Sequence, residues 1–122
     1  MLLDLLKHVE NIAKKAGQHI MLPAFVSQSS IQSIKLDGSI VTETDQQCQD
    51  FLQAELAKVS TNIGFLGEEM SHDDQLSCLH QGNQSEISRF WCVDPLDGTG
   101  NFATPMPLFA ISIALIENGQ PV

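Results

Sequence analysis

Basic residues are scarce in this chain. Its 122 residues include 6 lysines and arginines against 15 aspartates and glutamates, which gives a formal net charge of −9. Such an acidic chain lacks the positive surface that binds nucleic acid or an anionic membrane, so we expect neither partner. A phosphorylated substrate remains compatible with this charge, because bound divalent cations reverse the local field.

Long apolar runs and paired cysteines are also missing. No run of about 18 apolar residues occurs, so the sequence predicts no transmembrane helix. Asp4 interrupts the leucine-rich start and no basic segment precedes it, which makes a poor signal peptide. The three cysteines are odd in number and irregularly spaced, which is typical of a reducing compartment and predicts a cytoplasmic protein.

The spacing of apolar residues predicts both helices and strands. With 43% hydrophobic residues, the chain can form the core of one modest domain, or of part of a larger one. Helical spacing starts the chain, and we expect Pro23 to end that helix. The predicted elements are a helix over 2–20, a polar connection over 24–33, a turn at Asp37-Gly38, a helix over 42–60, and strands over 63–67, 90–93 and 109–116.

Residues 70–88 are polar and show no sustained periodicity, so we expect a long loop there. His72, Cys78 and His80 lie in this segment. Their spacing matches no standard zinc site and a fourth ligand is missing, so we do not predict zinc.

The segment around two aspartates is the most informative part of the sequence. Asp94 and Asp97 flank a proline directly after a short apolar strand, and we expect strand pairing to stop at Pro95. Gly98 permits a sharp turn, and Thr99 opens a segment whose free N–H groups could face an anion. Two carboxylates beside such amides suit a hard cation that carries a phosphate. An ordinary turn is the alternative, whereas the spacing does not match an EF-hand.

Two further acidic positions have both a local and a functional interpretation. Glu68 follows the strand predicted over 63–67, and carboxylates at strand ends often build sites in sheets. The alternative is a solvated acidic pair with Glu69. Asp45 lies in the first turn of the second helix, where it would in any case complement the helix dipole.

The end of the sequence predicts an open sheet edge. Asn118-Gly119 is a strong hairpin signal, but the chain stops three residues later at Val122. We therefore expect an N-terminal part of a longer protein, catalytically inactive by itself and prone to self-association by strand pairing.

Four stretches, taken in order, resemble the inositol monophosphatase family of Mg²⁺-dependent, lithium-sensitive phosphatases. The resemblance runs over nearly the whole chain and implies an α+β fold. Two N-terminal helices would pack on a largely antiparallel sheet, as the N-terminal, metal-binding portion (residues 1–122) of a layered αβαβα sandwich. The four stretches are the loop with Lys35, Val41–Asp45, Gly67–Glu69, and Asp94–Thr99 followed by Asn101-Phe102.

The resemblance also implies roles for the matching residues. Mg²⁺ would be the cofactor, and Asp45 and Thr99 would form the catalytic pair that orients and activates the attacking water. The amides of Gly98 and Thr99 would receive the phosphate, with Lys35 on a loop nearby. The metal ligands would be Glu68, Asp94, the main-chain carbonyl of Leu96, and Asp97.

The sequence departs from the family pattern in two ways. Gly100 stands where the family usually has threonine or lysine, and the family takes another metal-binding aspartate from a Trp-Asp motif in its C-terminal half, which has no counterpart among residues 1–122. The implied function is Mg²⁺-dependent hydrolysis of a small polyol or sugar phosphate such as inositol monophosphate, by a homodimer. The alternatives are a 3′-phosphoadenosine 5′-phosphate or histidinol-phosphate phosphatase, and a non-catalytic fragment that binds metal or a partner chain.

Overall fold

The computed structural model describes residues 2–27, 32–34, 40–84, 89–104 and 106–122, and the side chains of all of these except 32–34, 40–42 and 80–84. The elements are α1 Leu2–Ala16, a π-helical turn Gly17–Met21, α2 Leu22–Ser27, β1 Gln32–Ile34, β2 Ile40–Thr42, α3 Glu43–Val59, β3 Gly64–Gly67, α4 His72–Gln84, β4 Arg89–Asp97, α5 Thr99–Ala103, β5 Ala110–Glu117 and β6 Gln120–Pro121.

The first helical segment runs further than the sequence predicts. Helical structure does not end before Pro23 but continues to Ser27, inside the predicted polar connection. In the π-helical turn, the N–H of Leu22 donates to the carbonyl of Gly17, five residues earlier. Pro23, the second residue of α2, directly follows this wider turn, so the continuous helical segment accommodates a residue that has no N–H to donate.

Four strands form one sheet in the order β3-β4-β5-β6. β3 and β4 are parallel, whereas β4, β5 and β6 pair antiparallel, so the prediction of a largely antiparallel sheet is confirmed. Asn118 and Gly119 both have positive φ, as a two-residue hairpin turn requires, and the predicted hairpin is present between β5 and β6. Pairing does not stop at Pro95: it is interrupted by a bulge and resumes at Asp97, which faces Ala110.

The predicted loop over 70–88 is wrong in its first part, because α4 occupies residues 72–84. Ser71 precedes this helix, and its hydroxyl accepts the N–H of Asp74 at 3.2 Å. This is the first half of a capping box, a local signal that does not depend on apolar periodicity. His72 and Cys78 both lie on α4.

β1 and β2 pair antiparallel, with Gln32 opposite Thr42. The turn predicted at Asp37-Gly38 and the loop that carries Lys35 lie outside the described residues.

The core forms where α1 and α3 pack against each other and α3 packs against β4. Helical spacing on α1 and strand alternation on β4 place apolar side chains on the buried faces. Cys48 on α3 is fully buried in this core. No helix in the described part of the chain is both long and apolar enough to cross a membrane. The buried apolar residues are Ile12, Ala16, Met21, Cys48, Leu52, Leu56, Trp91, Val93, Leu96, Phe102 and Leu115.

Three phenylalanines connect the end of the first helical segment to the far side of the β4–β5 connection. The ring of Phe25 lies 5.7 Å from that of Phe102 and 5.1 Å from that of Phe109, and the latter two rings are 5.1 Å apart. Such tilted and edge-on pairs stabilise beyond their buried area. This aromatic trio therefore holds α2 against the short helix α5.

Candidate functional site

Two carboxylates meet where the parallel strands β3 and β4 end. Gly67 and Val93 are the last paired residues of the two strands, and the N–H of Glu68 donates to the carbonyl of Val93 at 3.0 Å. The next residue on each strand is acidic, so Glu68 and Asp94 become neighbours. Their side chains are hydrogen bonded to each other. A carboxyl–carboxylate hydrogen bond requires that the pair share a proton.

The environment of Asp94 favours that proton. Partial burial, followed by the hydrogen bond and the negative charge of Glu68, raises the pKa of Asp94 from 3.8 to about 7. The negative charge of Asp45 also raises this pKa, whereas the N–H of Leu96, which donates to Oδ1 of Asp94 at 3.2 Å, lowers it. Three carboxylates therefore share one region, with one main-chain donor opposing their repulsion.

The bulge between Asp94 and Asp97 sets the direction of the main chain after the strand. Leu96 is buried, and its carbonyl oxygen lies 3.0 Å from the hydroxyl of Thr99. Asp97 is exposed. Among the described residues no three acidic, histidine or cysteine side chains converge as a metal-binding group.

Gly98 turns the chain from the bulge into α5. Its φ of 91° lies in the left-handed region, and a Cβ at this position would lie 2.7 Å from the carbonyl oxygen of Leu108. Both observations require glycine. Phe102 then donates its N–H to the carbonyl of Gly98 at 3.0 Å, which closes the first turn of α5. Gly100, in contrast, has open space around its Cβ position.

Asp45 and Thr99 form the contact that connects α3 to this turn. Asp45 is fully buried, and the Thr99 hydroxyl donates to its Oδ1 at 2.8 Å. The carbonyl of Leu96 is the second acceptor within reach of the same hydroxyl. Because the hydroxyl has a single proton, it donates to one of these oxygens at a time, and its lone pairs remain able to accept from a further donor such as water.

Gln49 is a site-adjacent residue that the sequence prediction missed. It is buried on α3, and its Oε1 accepts the N–H of Glu69 at 2.8 Å. The signal was its position four residues after Asp45 and three before Leu52, on the apolar face of the helix. A polar side chain on such a face needs a hydrogen-bond partner, because burying it without one is costly.

The arrangement combines a carboxyl pair, a buried Asp–Thr pair and a glycine-turned helix start in one compact region. A sequence profile described as the inositol monophosphatase family matches residues 1–122. The chain belongs to the inositol monophosphatase family. The resemblance found in the four sequence stretches is thereby confirmed, and so is the α+β fold.

Individual relatives of this inositol monophosphatase family member carry different names. An inositol-1-monophosphatase of Mesorhizobium japonicum is 37% identical over 97% of this chain and 41% of its own length. A 3′(2′),5′-bisphosphate nucleotidase, CysQ, of Aggregatibacter actinomycetemcomitans is 32% identical with the same coverage. The crystal structure of the extragenic suppressor protein suhB from Bartonella henselae superposes with a TM-score of 0.79, at 29% identity over 98% of this chain and 43% of its own. The chain thus spans about two fifths of the length of these relatives.

The donor set fits a hard divalent cation. The carboxylates of Glu68 and Asp94 and the carbonyl of Leu96 supply oxygen ligands of the kind that Mg²⁺ prefers. A cation in place of the shared proton would also offset the repulsion that raises the pKa of Asp94. The residues present in this inositol monophosphatase family member therefore suit the cofactor that the resemblance implies.

Proposed function

We propose that the protein carrying this chain hydrolyses the phosphomonoester of a small polyol or sugar, such as inositol monophosphate, with Mg²⁺ as cofactor. The observation that carries the proposal is the proximity of two pairs. The Thr99 hydroxyl donates a hydrogen bond to the buried Asp45. Asp94 is hydrogen bonded to Glu68, and the negative charge of Asp45 also raises the pKa of Asp94. Phosphomonoester hydrolysis has one of the highest uncatalysed barriers, so a site for it must combine charge neutralisation with a positioned water.

The cation-binding groups are Glu68, Asp94, the Leu96 carbonyl and Asp97. When bound there, Mg²⁺ would neutralise the phosphate and lower the pKa of a coordinated water. Asp97 joins this set on the family resemblance, and in the structure its side chain is exposed, whereas that of Asp94 is half-buried. We therefore expect the affinity of the site for the cation to depend more on Asp94 than on Asp97.

Asp45 and Thr99 are assigned to the attacking water. With its proton directed to Asp45, the Thr99 oxygen presents lone pairs that can accept a proton from water. As the Thr99 oxygen accepts a proton from the water, its own proton passes to the buried carboxylate of Asp45, so the hydroxyl is regenerated and Asp45 is the final base. The pair lies on two different elements, α3 and α5, so the core fixes its geometry rather than one flexible loop.

The phosphate is assigned to the start of α5. The amides of Gly98 and Thr99 stand at the turn before the helix, where main-chain N–H groups have no partner within the helix. Lys35 is assigned a place near the phosphate on the family resemblance alone, because it lies outside the described residues.

A second substrate class is supported by the relative named 3′(2′),5′-bisphosphate nucleotidase, which is 32% identical over 97% of this chain. The side chain missing at Gly100 leaves open space beside the helix start, which suits a bulkier leaving group. A 3′-phosphoadenosine 5′-phosphate phosphatase is therefore the alternative proposal, with histidinol phosphate as a third substrate in the same test.

The test is a phosphate-release assay of the full protein that carries this chain, with and without millimolar Mg²⁺. The panel comprises inositol 1-phosphate, 3′-phosphoadenosine 5′-phosphate and histidinol phosphate. We expect release that requires Mg²⁺, is abolished by a chelator and is absent from an Asp94→Asn variant. Release from none of the three, or release that the chelator leaves unchanged, would contradict the proposal.

A further inference from the structure

Gln49 lies on α3 one helical turn after Asp45. Four residues of α-helix rise about 6 Å and return to nearly the same face, so both side chains leave the helix toward the site. Asp45 reaches Thr99, and Gln49 reaches the turn that carries Glu68 and Glu69. One rigid helix therefore contacts both halves of the site.

The contact between Gln49 and this turn is close and specific. Oε1 of Gln49 accepts the N–H of Glu69 at 2.8 Å, and Gln49 itself is 2% exposed. The amide also packs on Gly67, since a Cβ added at Gly67 would lie 2.6 Å from Cδ of Gln49. Only glycine at position 67 lets the amide approach the main chain this closely.

The same turn is held from two other elements. Met70 closes it by donating its N–H to the carbonyl of Gly67 at 3.2 Å, and Glu68 donates its N–H to β4. From α4, Nε2 of Gln75 lies 3.0 Å from the carbonyl oxygen of Gly67 and 3.3 Å from that of Glu68. Glu68 thus has its main chain fixed on both sides, while its carboxyl group pairs with Asp94.

We propose that Gln49 is a positioning residue that sets the Glu68 carboxylate relative to the Asp45–Thr99 pair. This inference rests on the proposed function, because that function assigns Glu68 as a ligand of the cation. A neutral amide suits this role, because it accepts the N–H of Glu69 without adding a negative charge beside Glu68 and Asp94. A carboxylate ligand needs such support, since groups that orient metal ligands typically change metal affinity about 10- to 100-fold when they are removed.

The test compares Gln49→Leu, which removes the acceptor at similar volume, with Gln53→Leu, the same change at an exposed position of the same helix. Amide hydrogen exchange at Glu69 is measured without metal, and Mg²⁺ binding is measured by calorimetry. We expect Gln49→Leu to speed exchange at Glu69 about tenfold, as the loss of one buried hydrogen bond implies. It should weaken Mg²⁺ binding about 10- to 100-fold. Gln53→Leu should change neither.

Two further measurements separate positioning from general damage. Gln49→Glu keeps an acceptor oxygen and should restore slow exchange at Glu69. At saturating Mg²⁺, Gln49→Leu should recover most of its turnover, since its defect lies in holding the cation.

The outcomes also separate the inference from the proposed function. Wild-type protein that binds no Mg²⁺ would overturn the proposed function and this inference with it. Wild-type protein that binds Mg²⁺, with an equal affinity in Gln49→Leu, would overturn the inference alone. A turnover loss in Gln49→Leu that saturating Mg²⁺ does not reverse would likewise contradict a positioning role.

Discussion

The Thr99 hydroxyl lies 2.8 Å from Oδ1 of Asp45, a fully buried carboxylate 54 residues earlier in the chain. A buried carboxylate is costly unless it is hydrogen bonded, so this contact stabilises the packing of α3 against the β4–α5 turn. The same contact directs the hydroxyl proton away from solvent. The packing of α3 and the proposed activation of water thus depend on the same hydrogen bond. Measurements of stability and of turnover can separate the two effects.

Replacing Thr99 by Ala should lower turnover roughly 10²- to 10⁴-fold, the usual contribution of a general acid–base group. Mg²⁺ affinity should be nearly unchanged, because the side chain of Thr99 positions water and does not hold the cation. Steady-state kinetics and calorimetry on the same preparation measure the two quantities. Thr99→Ser is the matched control, since it keeps the hydroxyl. If affinity fell in parallel with turnover, Thr99 would belong with the cation ligands.

Replacing Asp94 by Asn should abolish Mg²⁺-dependent phosphate release, because Asp94 is the acid that lies against both Glu68 and the Leu96 main chain. The fold should persist, since the amide can keep a hydrogen bond to either neighbour. Circular dichroism and a thermal melt check the fold, and the phosphate assay checks activity. Near-wild-type turnover would show that the cation assignment is wrong.

The carboxyl pair also predicts a pH dependence of stability without divalent cations. The pKa of Asp94 is about 7 in the fold and 3.8 for the ordinary group, so between these values the folded chain keeps a proton that the unfolded chain releases. The contribution of this group to the free energy of unfolding is therefore full below about pH 4 and is lost as the pH rises through about 7. Asp94→Asn should remove it.

Urea titrations of wild type and Asp94→Asn at several pH values isolate this effect, because the other acids are common to both proteins. We expect the stability of the variant relative to wild type to increase from pH 4 to pH 7. A difference that is constant over this range would mean that the pair shares no proton. Millimolar Mg²⁺ should reduce the change of this stability difference with pH, since a cation can replace the shared proton.

The two glycines at the start of α5 should respond oppositely to alanine. Gly98→Ala forces a Cβ into the left-handed region and to within 2.7 Å of the Leu108 carbonyl oxygen, so we expect a loss of about 1–3 kcal/mol or more in unfolding free energy. Gly100→Ala fills open space in a helix and should be neutral or stabilising by up to about 1 kcal/mol. Chemical denaturation measures both. Equal effects would contradict the geometry described for this turn.

The sequence is sufficient for the parts of the site that local chemistry controls. The strand ends mark Glu68 and Asp94 separately as site candidates, and the family resemblance implies that they act together. The structure adds the reason, since the parallel strands β3 and β4 bring their carboxyl ends together. The contact between Asp45 and Thr99 does not follow in this way. From the residues alone, the helix dipole explains Asp45 better, and only the family resemblance pairs it with Thr99.

Two differences between sequence prediction and structure have separate physical origins. Helix α4 is not predicted because most of its described side chains, over residues 72–79, are exposed, and its apolar residues show little periodicity. Ser71 and Asp74 nevertheless carry a capping signal. Pairing is expected to end at Pro95 because proline lacks an N–H. A bulge removes the need for that N–H and lets the strand continue to Asp97.

Because of the π-helical turn at Gly17–Met21, the side chains of α2 point in directions that a continuous α-helix from α1 would not give them. An α-helix advances about 100° per residue, so a wider turn changes the direction in which every later side chain points. Ile12, on α1, is buried in the core. Phe25, on α2, packs instead against Phe102, which lies three residues after Thr99. Deleting one residue from the wide turn would rotate Phe25 away from that ring. The angular offset of an N-terminal helix thereby sets a ring contact on α5, the short helix that begins at Thr99.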